Sequence, residues 1–156
     1  MQDGAVCPDL ERIPSMTDVF TPNKRSQVMS NIRGRGNRRT ELAMVQLLRR
    51  HHITGWRRHP PMFGRPDFIF RGPRMALFVD GCFWHGCPHH STVPATHRGF
   101  WLNKLEGNRR RDRLVNRMLR AMGWRVLRVW EHELKPKRES ALVRRIQCAL
   151  SQPPPD

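Results

Sequence analysis

The spacing of hydrophobic positions along the chain alternates between the period of a helix and that of a strand. Leu42, Val45 and Leu48 form a helical stripe after Thr40, a residue suited to an N-cap. Apolar and alternating segments then predict strands, and a turn at residues 71–74 joins two of them. The predicted elements are a helix over 41–52, strands over 55–59, 66–70 and 75–80, a helix over 100–122, a strand over 124–130 and a helix over 139–150. This order favours an α/β fold in which helices flank a central mixed sheet.

The longest predicted helix, over residues 100–122, mixes apolar positions with many arginines. We expect the arginines to face solvent and the apolar side chains to reach the core. The candidate core residues of this helix are Trp101, Leu105, Leu114, Met118 and Ala121.

Length and composition predict one domain. The chain has 156 residues, and we expect a flexible leader over 1–22, a single domain over 23–150 and a disordered tail over 151–156. No segment approaches the roughly 20 apolar residues of a membrane span, and the first thirty positions lack a signal core. We therefore expect a monomeric cytoplasmic protein associated with the nucleoid.

The charge of the chain predicts a nucleic-acid partner. Lys and Arg number 29 against 13 Asp and Glu, a formal net charge of +16 that is spread from Lys24 to Arg145. Phosphates would offset this charge, although a basic surface can also serve solubility alone. Charge therefore favours nucleic acid without proving it.

The segment 78–90 concentrates candidate chemistry, because it reads Phe-Val-Asp-Gly-Cys-Phe-Trp-His-Gly-Cys-Pro-His-His. Cys82, Cys87 and His90, with His132 from beyond the last strand, would complete a tetrahedral zinc site. His90 is preferred to His89 for its Cys-x-x-His spacing. Four protein ligands leave no open position, so this zinc would be structural.

Two aspartates lie on neighbouring predicted strands. The turn at 71–74 pairs Asp67 with Phe78, which puts Asp67 and Asp80 on one face, where both carboxylates can reach one divalent metal. Such hard oxygen ligands suit Mg²⁺. A slip of one residue would instead put Val79 on that face, leaving only its backbone carbonyl.

These groups predict phosphodiester hydrolysis. Pro66 biases Arg65 toward an extended conformation, which would place Asp67 at the mouth of a cleft. His85 can then act as general base on a water beside the metal. Glu41 lies beside the buried helical stripe and either joins this site or complements the helix dipole.

Phe83 and Trp84 are adjacent, so an extended segment cannot bury both rings on the same side. We expect at least one ring to be presented outward, where it can stack on bases. Insertion of an apolar wedge between bases costs least at a mismatch.

Four separated blocks resemble the Vsr (very short patch repair) DNA mismatch endonucleases. They are residues 64–68, 78–88, 93–96 and 123–127, and the resemblance extends over about 26–134. It implies a restriction-endonuclease-like core related to the PD-(D/E)xK nucleases. It also implies Mg²⁺-dependent nicking 5′ of the thymine in T·G mismatches that arise when 5-methylcytosine deaminates.

The resemblance assigns roles to individual residues. The metal-binding aspartate of the family falls on Asp67, the catalytic histidine on His85 and the helix glutamate on Glu41. Val79 replaces a threonine whose backbone carbonyl binds metal. Asp80 replaces a histidine and is either a direct metal ligand or a partner of His85.

The resemblance also implies how DNA is held. Phe83 and Trp84 would intercalate from one groove and Met29 from an N-terminal arm, while His132 departs from the cysteine common at its position. The phosphate contacts would be Lys24, Arg25, Arg33, Arg35, Arg38 and Arg39. The implied partners are mismatched double-stranded DNA, a cytosine-5 methyltransferase system and mismatch-repair proteins.

Two other functions fit the same residues. One is a restriction-type enzyme that cuts both strands of paired DNA, which a dimer would favour. The other is a zinc-stabilised, non-catalytic DNA-binding module in which Asp67 and Asp80 pair with arginines.

Overall fold

The computed structural model describes residues 40–153. Its elements in chain order are α1 (Glu41–Arg50), β1 (Trp56–Arg58), β2 (Phe68–Phe70), β3 (Met75–Asp80), α2 (Arg98–Ala121), β4 (Arg125–Trp130), a 3₁₀ helix (Glu131–Leu134) and α3 (Pro136–Ser151). Each predicted helix and strand has a counterpart among them.

The four strands form one sheet in the order β1-β2-β3-β4. The first two pairings are antiparallel and the third is parallel. Phe70 pairs with Met75 across the turn at 71–74, the register that the sequence predicts. Helix α2 supplies the crossover that a parallel pair requires. The mixed α/β prediction is therefore confirmed.

The two faces of the sheet are covered by different helices. Helices α1 and α3 pack on one face, whose buried core is Met44, Val45, Leu47, Leu48, Ile53, Phe68, Phe70, Met75, Leu77, Val79, Val129, Leu142, Val143 and Ile146. Helix α2 lies on the other face, whose buried apolar cluster is Ile69, Ala76, Phe78, Val115 and Leu119. The second apolar cluster is much the smaller, and polar groups occupy the space beside it.

Helix α2 is rotated relative to the sequence prediction. Leu105 is buried as predicted, but Leu114, Met118 and Ala121 are exposed. The inward stripe follows alternating spacings of four and three residues and consists of Trp101, Leu105, Asn108, Asp112, Val115 and Leu119. Two polar residues on this stripe hide its apolar period, which is why the prediction chose a neighbouring face.

The chain enters β2 through a turn. Arg65 has φ +51° instead of the extended conformation predicted from Pro66. Its N–H donates to the carbonyl of Met62 at 3.1 Å, so a local hydrogen bond overrides the bias that the proline imposes. As a result β2 begins at Phe68, two residues later than predicted.

The C-terminal part differs from the prediction at its start. Helix α3 begins at Pro136, three residues before the predicted position. Proline suits the first turn because its missing N–H would have no hydrogen-bond partner within the helix. A 3₁₀ turn that the sequence analysis missed joins β4 to α3 and carries His132. Within residues 40–153, no helix has the length and apolarity needed to cross a bilayer.

Candidate functional site

A cleft of about 740 Å³ opens beside the α2 face of the sheet. Its walls come from the start of α1, the turn before β2, the end of β3 and the middle of α2. The predicted site residues among its lining are Glu41, Asp67, Val79, Asp80, Trp84 and His85, and the same cleft contains Asp112 and Arg128, which the prediction missed. The fold thus brings together residues that are 87 positions apart, from Glu41 to Arg128.

Asp67 immediately precedes β2 and lines the cleft together with Asp80. Its Oδ2 accepts a hydrogen bond from the backbone N–H of Val79 at 2.8 Å. Burial raises the pKa of the Asp67 carboxyl, and Glu41 and Asp80 raise it further, against the lowering effect of the Val79 bond. The unslipped register directs the Val79 side chain to the opposite core.

Glu41 occupies the first turn of α1 and is 3% exposed. Its Oε1 accepts from Arg58 Nε at 2.8 Å and lies 2.6 Å from His59 Nε2. The carboxylate is therefore held at the rim of the cleft by two side chains from the β1 region. Its place in the first helical turn also suits the helix dipole. Glu41 therefore lies in both positions that the sequence analysis considered, beside the cleft and at the start of the helix.

His85 is held by a carboxylate from α2. Its Nδ1 lies 2.6 Å from Asp112 Oδ2, and the other oxygen of Asp112 accepts from Arg128 Nη2 at 2.9 Å. Burial raises the pKa of Asp112, but the bonds from His85 and Arg128 outweigh it and bring that pKa below its usual value. With Nδ1 occupied as donor, the lone pair of the neutral ring lies on Nε2.

Asp112 could have been found in the sequence by its spacing. It continues the inward stripe from Leu105 and Asn108, although arginines surround it and suggest a solvated surface. An acidic residue on the core-facing side of a basic helix is a functional signal.

Asp80 is 4% exposed and both of its oxygens bind Arg128. Arg128 Nε donates to Oδ2 at 2.6 Å and Nη2 donates to Oδ1 at 2.8 Å. His85 Nδ1 lies 3.6 Å from Asp80 Oδ1, beyond hydrogen-bond distance. Asp80 is thus primarily the partner of an arginine that the sequence analysis did not include.

A second cluster lies just beyond β3. One ligand atom from each of Cys82, Cys87, His90 and His132 lies within 4.8 Å of the others, so the group could hold a metal ion. Cys82 Sγ is 3.2 Å from His132 Nδ1, and Cys87 Sγ is 3.7 Å from His90 Nδ1. Burial raises the pKa of Cys82 and lowers that of His132.

The aromatic side chains after β3 form a cluster with the start of α2. The rings of Phe83 and Trp84 meet edge to face at 5.0 Å, and Trp101 lies 5.4 Å and 6.1 Å from them. Phe100 extends the cluster from Trp101 and is 61% exposed. Phe83 and Trp84 are each half-buried, and the sequence analysis assigned Trp101 to the core instead.

Helix α2 also fixes the backbone between the two clusters. Asn108 donates to the Trp84 carbonyl at 2.8 Å, and Arg109 donates to the Gly86 carbonyl at 3.2 Å. The residues on both sides of His85 are therefore anchored to the helix that carries Asp112. The remaining predicted DNA contacts lie outside the described residues: Met29, Lys24, Arg25, Arg33, Arg35, Arg38 and Arg39.

Comparison with known proteins adds a consistent set of relatives. The family model for the DNA mismatch endonuclease Vsr matches residues 17–92. The type II nicking enzyme V.XorIIP of Xanthomonas oryzae is 40% identical over 124 residues, covering 76% of this chain and 88% of that protein. The DNA mismatch endonuclease Vsr of Escherichia coli is 36% identical over 139 residues, covering 85% and 86%.

A shorter match has higher identity. The type II nicking enzyme V.NaeI of Lentzea aerocolonigenes is 54% identical over 69 residues, which cover 44% of this chain and 42% of that protein. This chain therefore spans less than half the length of that relative, whereas it spans most of the other two.

Proposed function

Because this chain belongs to the Vsr family of DNA endonucleases, we propose that it nicks duplex DNA 5′ of the thymine in T·G mismatches, in a Mg²⁺-dependent reaction. The observation that supports this most is the meeting of Asp67 with the His85–Asp112 pair in one open cleft. The core would be of the restriction-endonuclease type. A mismatch substrate is suggested by the name of the Escherichia coli relative, and the T·G preference by the family resemblance.

The carboxylates of the cleft fit Mg²⁺. Burial foremost, and then the charges of Glu41 and Asp80, raise the pKa of Asp67, and a cation bound there would favour the charged carboxylate. Asp67 would bind the ion directly, with the backbone carbonyl of Val79, while Glu41 would orient its water shell from the cleft rim. An ion held by these residues would supply positive charge that stabilises the phosphate and the leaving oxygen.

His85 would be the general base. Its Nδ1–H is donated to Asp112, which fixes the ring and leaves Nε2 to accept a proton from the attacking water. Asp112 would not touch the substrate and would act as a positioning residue. This division between an orienting carboxylate and a basic imidazole nitrogen follows the logic of other histidine-based active sites.

Mismatch selectivity would come from the aromatic cluster. Phe83, Trp84 and Trp101 present contiguous half-buried rings, and separating a mismatched base step costs less than separating a paired one. Asn108 ties the Trp84 backbone to the helix that positions His85, so the aromatic wedge and the general base His85 would move together. Met29 and the basic residues of segment 24–39 would complete the grip on DNA.

The cysteine and histidine cluster would bind Zn²⁺. Four thiol and imidazole ligands make a closed tetrahedral set that suits this ion, leaving no open position for substrate. The ion would tie the segment after β3 to the 3₁₀ turn after β4 and so brace the wedge. Mismatched duplex DNA, a cytosine-5 methyltransferase system and mismatch-repair proteins are the partners that we propose for a monomeric enzyme in the cytoplasm.

Single-turnover cleavage tests the proposal. Duplexes labelled on each strand, with either T·G or paired C·G, are incubated with the wild type or Asp67→Ala in Mg²⁺ or Ca²⁺. We expect a Mg²⁺-dependent nick on the thymine strand alone, absent in Asp67→Ala although DNA binding persists.

Two results would contradict this proposal, and each supports a different function. Breaks in both strands of paired DNA would indicate a restriction-type enzyme. Binding without cleavage in every context, with no effect of Asp67→Ala, would indicate a DNA-binding module.

A further inference from the structure

Arg128 is the centre of the polar network in the cleft. On β4 it pairs in register with Phe78 of β3, so its side chain leaves the same face of the sheet as Phe78 and Asp80. The guanidinium carbon lies 4.8 Å from the centre of the Phe78 ring, and Asp80 lies two positions further along β3. A guanidinium stacked on an aromatic ring is restricted in orientation, so its donors point to a fixed set of acceptors.

Arg128 joins two carboxylates that both lie near His85. It uses two donors for Asp80, at 2.6 Å and 2.8 Å, and shares Nη2 with Asp112 at 2.9 Å. A third nitrogen, Nη1, donates to Asn116 at 3.1 Å, one turn after Asp112 on α2. The guanidinium therefore links β3, β4 and α2 at the position of the catalytic pair.

Two carboxylates lie close to one nitrogen of His85, and only one of them is at hydrogen-bond distance. Asp112 Oδ2 lies at 2.6 Å from Nδ1 and Asp80 Oδ1 at 3.6 Å. Asp80 is the more deeply buried carboxylate and would compete for this proton if its oxygens were free. Arg128 binds both oxygens of Asp80 and holds that carboxylate 3.6 Å from His85 Nδ1, so the His85 N–H is left to Asp112 at 2.6 Å.

We propose that Arg128 is the positioning residue that assigns His85 to Asp112, and that Asp80 serves to hold Arg128 instead of binding metal. The inference deepens the proposed nuclease function and rests on it for the cleavage readout. It also explains why an aspartate can replace the histidine of the family pattern at position 80, since its carboxylate is neutralised by an arginine on the neighbouring strand.

The full-length, zinc-loaded protein tests this with three variants: Arg128→Met, Arg128→Lys and the double variant Asp80→Asn/Arg128→Met. Arg125→Met is the matched control, because Arg125 lies on the same strand but binds carbonyls at the end of α3. The measurements are affinity for a T·G duplex in Ca²⁺, the single-turnover nicking rate in Mg²⁺ and the His85 tautomer from ¹H–¹⁵N NMR of the imidazole.

In Arg128→Met we expect affinity within about threefold of wild type, nicking slower by about 10²-fold or more, and loss of the single Nδ1–H tautomer of His85. Arg128→Lys should lower the nicking rate by about tenfold, since an ammonium cannot hold two carboxylates in the geometry of a guanidinium fork. The double variant removes the unpaired buried charge and should fold well, yet it should stay slow. Arg125→Met should keep the wild-type rate and tautomer.

A wild-type nicking rate in the double variant would overturn the proposal, because Arg128 would then only neutralise Asp80. An unchanged His85 tautomer in Arg128→Met, or an equal loss in Arg125→Met, would overturn it as well. If the wild type itself does not nick T·G duplexes, the proposed function fails, and the NMR comparison still decides whether Arg128 positions His85.

Discussion

The two faces of the sheet differ in the kind of side chains that they bury. The face under helices α1 and α3 has a large apolar core, whereas the face under α2 has a cluster of five buried apolar residues beside a polar cleft. On the first face almost every inward position is apolar. On the second, Asn108 and Asp112 occupy inward positions of α2 and bind the segment that carries His85.

The difference shows where stability and chemistry reside. Burial of apolar area stabilises the fold through the α1 and α3 face. The α2 face gives up part of that burial to charged groups, which must then be paired with one another. Changes on one face should therefore affect stability and changes on the other should affect cleavage, and the predictions that follow test this separation.

Asp112→Asn should give the largest effect. The amide can still approach His85 but no longer favours the Nδ1–H tautomer or balances Arg128, so we expect single-turnover nicking to fall by about 10²- to 10⁴-fold. Affinity for the T·G duplex should stay within about threefold. Glu106→Gln is the control, because Glu106 lies on the same helix but pairs with Arg110 and Arg113 at the surface. An equal loss in both variants would contradict a specific role for Asp112.

Leu48→Ala should break the other face. Leu48 is fully buried in the larger core, and the substitution should lower the free energy of unfolding by about 2–5 kcal/mol through lost burial and a residual cavity. Urea unfolding followed by circular dichroism measures this. The nicking rate of the folded fraction should stay near wild type, and the exposed neighbour Gln46→Ala should change neither quantity. A rate loss without a stability loss would show that the two faces are not separable.

The sequence predicted the core face better than the cleft face. The helical spacing of Leu42, Val45 and Leu48 predicts α1. The register of Phe70 with Met75 follows from a four-residue turn. Periodicity failed on α2, where polar residues interrupt the inward stripe and the apolar period pointed to exposed positions. Such interruptions are what a functional site imposes on a helix.

The arginine that pairs with the carboxylates of the cleft was beyond sequence reasoning for another reason. Arg128 is one of many arginines, and only the parallel pairing of β3 with β4 reveals that it lies opposite Phe78 and reaches Asp80. That pairing joins residues about fifty positions apart, and its register depends on how α2 crosses the sheet. Asp67 and His85 were found from the predicted hairpin and the segment after β3, and the family resemblance gave roles to them and to Glu41, while Arg128 lies in none of the matching blocks.

Gly64→Ala should affect both stability and cleavage, each by less than the two preceding substitutions. Gly64 has φ +77°, and an added Cβ would clash with a methyl of Val115 on α2. The strained backbone and the clash should lower the free energy of unfolding by about 1–3 kcal/mol and push the turn before Asp67 away from α2. We expect a higher Mg²⁺ concentration at half-maximal nicking, measured by titration. Gly72→Ala, where the Cβ meets nothing within 4 Å, is the control.

Glu139→Gln should give the smallest effect, because it removes a polar contact from the rim of the core face. Glu139 on α3 binds Arg50 and His51 at 2.7 Å each, and these bonds, that of His51 foremost, lower its pKa below the ordinary 4.5. A lowered folded-state pKa means that the stabilisation is complete above pH 4.5 and is lost as the pH falls through the lowered value. At pH 7 the variant should be less stable by only about 0.5 kcal/mol, since the pair is near the surface and screened by salt. Unfolding measured in steps from pH 7 downward should therefore show a difference that shrinks as the pH falls below 4.5, with nicking at pH 7 unchanged. A difference that stays constant over this range would mean that packing of the side chain, and not its charge, joins α1 to α3.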